Sequence, residues 1–130
     1  MKGKDEVLGI LRNLSLDRTA VQLMQEDVAR IAEEEKQKEF PAVKRKALEK
    51  ERVRLQACLT VTAGHISRIE RLLGLLAPEE RKVLDWTLVN PRPDAVFDLA
   101  EEFRCDASSV YRLRARAVSK LVRLRFGVGE

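Results

Sequence analysis

The chain is poor in the side chains that build catalytic centres. It has one histidine, His65, and two cysteines, Cys58 and Cys105, in 130 residues. His65 has no carboxylate or cysteine at ligand spacing, which argues against a metal or general-base role. The two cysteines are far apart and in no metal-binding pattern, so they are expected to be reduced packing residues at semi-buried positions. No glycine-rich phosphate loop, nucleophile–base signature or carboxylate pair in an apolar setting occurs. The expectation is a protein that is not an enzyme and needs no cofactor and no metal. Aromatic side chains number six, glycines six and prolines four. Such a composition suits long solvated helices better than sheets. No apolar run reaches the length of a membrane span, so no membrane partner is expected. The start, MKGKDEVLGIL, is too acidic and its apolar part too short for a signal peptide, which implies a cytoplasmic protein.

Charge is what the chain has in abundance. Charged residues make up 35% of it, with a formal net charge of +4. Their distribution is uneven. Residues 1–40 carry 7 basic and 9 acidic side chains, residues 41–76 carry 8 and 3, residues 77–103 carry 3 and 7, and residues 104–130 carry 7 and 2. The last segment is therefore basic and the one before it acidic. That segregation suits a surface facing phosphate, although a charge run on a helix is commonly just a solvated face.

The apolar periodicity is helical throughout. Residues 4–14 form a short amphipathic stretch with Val7, Leu8, Leu11 and Leu14 on one stripe. Asn13 and Ser15 mark a break after it, with Ser15 able to cap a second helix. That helix covers residues 16–39, striped by Val21, Met24, Val28 and Ile31. Its polar end, EEEKQKE, is expected to project into solvent. Pro41 lacks an amide hydrogen and pushes Phe40 out of helical geometry, so the chain turns there. Residues 42–76 read as one long helix. Leu48, Leu55, Leu59, Thr62, Ile66, Ile69, Leu73 and Leu76 come at spacings of 7, 4, 3, 4, 3, 4 and 3, a heptad pattern broken by Arg52. These two helices predict a long antiparallel hairpin, able to form a coiled coil. The pattern leaves open whether the stripes pack within one chain or between chains. The basic cluster Lys44, Arg45 and Lys46 is read as a solvated helix face.

Leu76-Ala77-Pro78-Glu79-Glu80 starts another helix, with proline in the first turn and carboxylates at the positive helix end. Trp86 is its core anchor, and Asn90-Pro91-Arg92-Pro93-Asp94 is a stiff connection. Residues 95–126 then have the pattern of a helix-turn-helix. Leu99, Phe103, Val110 and Leu113 would fill the angle between two short helices, and Ala100 is the small residue where they touch. Asp106 can cap the second helix through the amides of Ser108 or Ser109. Gly127 and Gly129 end it. The arrangement directs the N-terminus of the second helix at a DNA major groove. Ser108, Ser109, Arg112 and Arg116 are the candidate contacts, with Arg112 favoured for a guanine edge. Tyr111 is read as contacting phosphate or packing on the first helix. Lys120, Arg123 and Arg125 would add either phosphate attraction without base preference or solubility.

Residues 76–126 resemble region 4 of bacterial sigma factors. The resemblance rests on the leucine-proline-acidic start (Leu76, Pro78, Glu79, Glu80, Val83, Leu84) and on Ala100 in the first helix. It also rests on the run Ser108, Val110, Arg112, Arg114, Arg116, Ala117, Lys120 and Leu121 in the second. Together with a helical hairpin ahead of it, the layout is similar to phage and prophage regulators of the ArpU and RinA late-transcription type. Two features depart from the family. Arg104 stands where a glycine commonly provides a left-handed backbone geometry, which is less comfortable for arginine. The connection NPRPD is richer in proline than is typical.

The resulting expectation is an all-α protein with a hairpin over residues 1–75 and a DNA-binding domain over residues 76–130. It would bind duplex DNA sequence-specifically to regulate transcription. Its partners would be DNA, RNA polymerase and a second copy joined through the hairpin. Two other readings fit the same features. One is a DNA-packaging subunit of the small-terminase kind. The other is a coiled-coil protein whose basic terminal helix binds an acidic partner.

Overall fold

The apolar stripe that begins at Val7 continues without interruption, and the helix follows it. In a computed structural model that describes residues 3–37 and 39–127, the first helix, α1, spans Lys4–Glu35. The expected break at Asn13 and Ser15 is absent. Both residues are only mildly unfavourable in a helix interior, and burial of Val7, Leu11 and Leu14 outweighs that cost. α1 also ends earlier than residue 39. Its last turn holds Glu33, Glu34 and Glu35 and no basic residue, the wrong sign for the negative end of a helix. The chain then tightens, with Lys36 N–H donating to Glu33 O at 3.2 Å and Gln37 N–H to Glu34 O at 3.1 Å.

α2 spans Ala42–Leu73, beginning directly after Pro41, whose carbonyl accepts from Arg45 N at 3.1 Å. It stops short of Leu76, because Gly74 opens a tight turn that carries the chain to Leu76. α3 spans Pro78–Leu84 and runs on into one π-helical turn, Asp85–Val89. That wider turn is closed by Asn90, whose N–H donates to Asp85 O and whose side-chain amide donates to Asp85 Oδ1, each at 2.8 Å. α4 spans Ala95–Phe103 and α5 spans Ala107–Phe126. The protein is all-α, and the described residues contain no strand. Gly127 closes α5 at φ 84°, while Gly129 lies outside the described residues.

The chain forms two compact units, one of residues 16–67 and one of residues 1–15 with 68–130. The units therefore do not divide at residue 75. The first three turns of α1 and the last turns of α2 group with the helix-turn-helix.

Residues 16–67 are a helical hairpin. Every residue of the expected stripes is at least half-buried, namely Val21, Met24, Val28 and Ile31 on α1 and Leu48, Leu55, Leu59, Thr62 and Ile66 on α2. Arg52, which interrupts the heptads, finds its partner on α1. Its Nε donates to Glu35 Oε1 at 2.7 Å, and both side chains are mostly covered. The Glu35 carboxylate raises the Arg52 pKa. The polar end of α1 is thus not wholly solvated, because Glu35 is used to cover a cation in the seam. Cys58 is exposed rather than semi-buried.

The other unit has the larger core. Val7, Leu11, Leu14, Ile69, Leu73, Leu76, Val83, Leu84, Leu99, Val110, Ala117, Val118, Leu121 and Val122 are all buried. Within it Val83, Leu99 and Val110 form a cluster against which Trp86, Val96, Ala100, Phe103 and Leu113 pack. These include every residue assigned from sequence to the angle of the helix-turn-helix. The turn itself is made by Arg104 in the left-handed region (φ 54°, ψ 49°). Arg104 N–H donates to Glu101 O and Cys105 N–H to Ala100 O, the paired bonds of a Schellman ending. Cys105, in this turn, is exposed and not a packing residue.

A left-handed arginine costs about 1–2 kcal/mol relative to the right-handed region. Glycine removes that strain but loses more backbone entropy on folding, about 0.5–1 kcal/mol. Arg104→Gly is therefore expected to stabilise the fold by about 0.5–1 kcal/mol. Urea unfolding should show a raised midpoint at an unchanged slope; a lowered midpoint would contradict this account of the turn.

Candidate nucleic-acid interface

The start of α5 is fixed by its own side chains. Asp106, in extended geometry, accepts from Ser109 N at 2.8 Å. The Ser109 hydroxyl accepts from Arg112 Nη2 at 3.1 Å. The Ser109 hydroxyl and amide hold the Asp106 carboxyl below its ordinary pKa, helped by the Ser108 hydroxyl and the Arg112 charge. Ser109 is half-buried and belongs to this cap. It orients Arg112 rather than standing free as a contact.

Ser108, Tyr111, Arg112 and Arg116 are exposed. Ser108, Arg112 and Arg116 come at four-residue steps and share one face of α5, with Tyr111 on its flank. Arg112, Arg116 and Arg123 form no ion pair among the described residues. The Arg112 and Arg116 charges act on the Asp106 and Glu80 carboxylates without forming an ion pair with them, which leaves both guanidiniums at the surface.

Lys120 has a different position. Its Nζ donates to Glu80 Oε1 at 3.1 Å, and the Glu80 side chain is only 6% exposed. The same oxygen accepts from Ala77 N at 2.9 Å, the carboxylate half of a capping box for which Ala77 has no acceptor of its own. Glu80 therefore joins the start of α3 to the fourth turn of α5. Arg125 is likewise engaged, with Glu6 at 3.2 Å.

Three cations near this face, Arg114, Lys4 and Arg92, are not among the contacts assigned from sequence. Arg114, half-buried on α5, borders two shallow recesses, one with Lys4 and Tyr111 and one with Arg92, Phe97 and Tyr111. The Arg92 guanidinium stacks on Trp86, 3.8 Å from the ring centre. Lys4 could not be placed beside Tyr111 and Arg114 by spacing, because both lie more than 100 residues away in the chain. Trp86 anchors the helix as expected and also supports the cation of the proline-rich connection. His65 is exposed. No group of three or more His, Cys, Asp or Glu among the described residues could hold a metal ion. No helix of the described residues is long and apolar enough to cross a membrane.

Comparison with known proteins finds no family model, no curated protein and no solved structure that matches the chain.

Burial pushes the Glu80 carboxyl up, but the Ala77 amide and the Lys120 and Arg116 charges outweigh it, so its pKa lies below the ordinary 4.5. The unfolded chain binds that proton more readily than the folded one. The stabilisation is fully present above pH 4.5 and is lost as pH falls through the lower folded value. Glu80→Gln should lower stability at neutral pH and flatten the acid limb of the stability–pH curve, leaving the part due to Asp106. An unchanged acid limb in urea titrations of the variant would contradict the clamp.

Proposed function

We propose that the protein binds duplex DNA sequence-specifically and regulates transcription, reading the major groove with the helix that starts at Ala107. One observation carries this reading. Ser108, Arg112 and Arg116 stand exposed on one face of α5, and neither guanidinium pairs with a carboxylate among the described residues. Asp106 and Glu80 hold that helix at its first and fourth turns. A capped helix with exposed guanidiniums that form no ion pair among the described residues is suited to base edges. Arginine donates two hydrogen bonds to guanine O6 and N7, a pairing worth about 1–3 kcal/mol of discrimination. Tyr111, Arg114, Lys4 and Arg92 flank the face and suit the phosphate backbone. Ser109 acts through Arg112, and Lys120 through Glu80. This is a binding role rather than an enzymatic one. The sigma region-4 resemblance of residues 76–126 supports a transcriptional setting in the cytoplasm, with RNA polymerase as a further partner. A second copy joined through the hairpin would supply the second half-site that a single short motif needs for useful specificity.

Equilibrium binding to duplexes of varied sequence tests the assignment. Arg112→Ala is expected to cost about 1–3 kcal/mol on the preferred site and to relax its base preference. Arg123→Ala should weaken all duplexes evenly and reduce the slope of log K against log salt by about one. The reading is wrong if duplex DNA does not bind at moderate salt, or if the double change Arg112→Ala with Arg116→Ala leaves binding unaltered.

A further inference from the structure

One recess beside α5 holds two side chains that the duplex reading does not use, Phe97 and Asp94. It is formed by the proline-rich connection, the first turn of α4 and the first turns of α5, and its volume is about 330 Å³. That is the lower end of the size of small-ligand clefts and suits one ring system. Two aromatic rings border it, Phe97 at 67% exposed and Tyr111 at 55%. Phe97 has no place in the cluster that holds the helix-turn-helix together, so its exposed ring is not there for the core.

The polar groups around these rings are of two kinds. Arg92 and Arg114 line the same recess, and Lys4 borders the neighbouring one with Tyr111 and Arg114. None of the three cations forms an ion pair among the described residues. Arg92 has one face against Trp86, which orients the guanidinium and leaves its N–H edge for an acceptor. Asp94 is the one carboxylate on the recess among the described residues. It is exposed, takes the left-handed geometry (φ 57°, ψ 24°), and makes no capping bond to α4 although it stands at the cap position. It pairs with neither Arg92 nor Arg114. Aromatic faces, cationic donors and a carboxylate acceptor thus share one small recess. An unpaired nucleotide has a counterpart for each: a base with a π-face, a phosphate, and N–H groups on its Watson–Crick edge. A base within a duplex has its faces stacked and that edge paired.

We propose that this recess holds one unpaired nucleotide of a DNA strand, its base against Phe97 and Tyr111 and its phosphate with Arg92 and Arg114. That the strand runs on from a duplex held on α5 rests on the DNA-binding reading; the recess itself stands on Phe97 and Asp94. Asp94 sets the base preference. Guanine presents two adjacent N–H donors on its Watson–Crick edge, which match the two oxygens of a carboxylate. Thymine presents one N–H between two carbonyls, which a carboxylate repels. The chain is therefore suited to a junction between duplex and single strand, with guanine favoured over thymine in the unpaired part. Lys4, one recess further on, takes the next phosphate.

The test is equilibrium binding of the whole chain, by fluorescence anisotropy at one moderate salt concentration. One duplex is prepared blunt, and extended at its 5′ or its 3′ end by a single-stranded run of dT or of alternating dG and dT. One polarity of overhang should bind at least about fivefold tighter than the blunt duplex, the lower end of what one stacked base contributes. The alternating run should bind tighter than the dT run. Phe97→Ala should return both to the blunt value and leave blunt binding unchanged, whereas Phe97→Tyr should keep the difference. Equal helix content by circular dichroism shows that each variant is folded. Asp94→Asn, which tolerates the left-handed geometry, should erase the preference for guanine. No tighter binding at either polarity overturns the proposal. So does an overhang effect that survives Phe97→Ala, or a guanine preference that survives Asp94→Asn. Capture of a peptide of alternating Glu and Phe in place of the single strand would assign the recess to an acidic protein and overturn it as well. Blunt duplex bound with no overhang effect leaves the duplex reading standing without this one. A free single strand bound through Phe97, with no duplex binding, does the reverse.

Discussion

The buried carboxylate of Glu80 is the contact on which the placement of α5 depends. One oxygen accepts from the Ala77 amide at 2.9 Å and from Lys120 Nζ at 3.1 Å. It thereby completes the start of α3 and ties it to α5 across 40 residues of sequence. A buried carboxylate is costly unless its hydrogen-bonding sites are filled, so the three groups stand or fall together. The consequence for function is positional. α5 is held at its first turn by Asp106 and at its fourth by Glu80, which leaves Arg112 and Arg116 between two fixed points. Removing one anchor would leave those arginines on a helix whose start could drift, which the proposed base-edge contacts would not tolerate.

The turn before α5 adds a second constraint. Arg104 takes the left-handed geometry that glycine takes without strain, and the two backbone bonds of the Schellman ending hold it there. Packing of Leu99, Ala100 and Phe103 against Val110 and Leu113 offsets the strain. The two units differ in how far they complete themselves. Residues 1–15 and 68–130 bury a full set of aliphatic side chains, whereas the hairpin leaves most of its stripe half-covered.

Much of this was legible in the sequence, for identifiable reasons. Helical periodicity located the stripe from Leu48 to Leu76 and the pairing of Leu99, Phe103, Val110 and Leu113, because such patterns report burial directly. Asp106 before a serine pair was legible as a cap, since capping is local. Continuity of α1 through Asn13 and Ser15 was not legible, because tertiary burial of Val7, Leu11 and Leu14 decided it. The partners of Arg52 and Lys120 were hidden for the same reason. Glu35 lies 17 residues away and Glu80 lies 40 residues away, and no local rule links them. Lys120 therefore read as a phosphate contact, and Lys4 and Arg92 did not read as part of the interface at all. The cysteines looked semi-buried from their helical neighbours, yet both are exposed.

The central claim is that the outer face of α5 reads base sequence. Selection of bound duplexes from a random pool tests it most directly, run in parallel with the wild-type chain and with the Arg112→Ala chain. The account predicts enrichment of a short motif containing guanine, present as an inverted repeat, with the guanine preference lost in the variant. A pool that stays random with the wild-type chain, or the same motif recovered with equal strength by both chains, would contradict it.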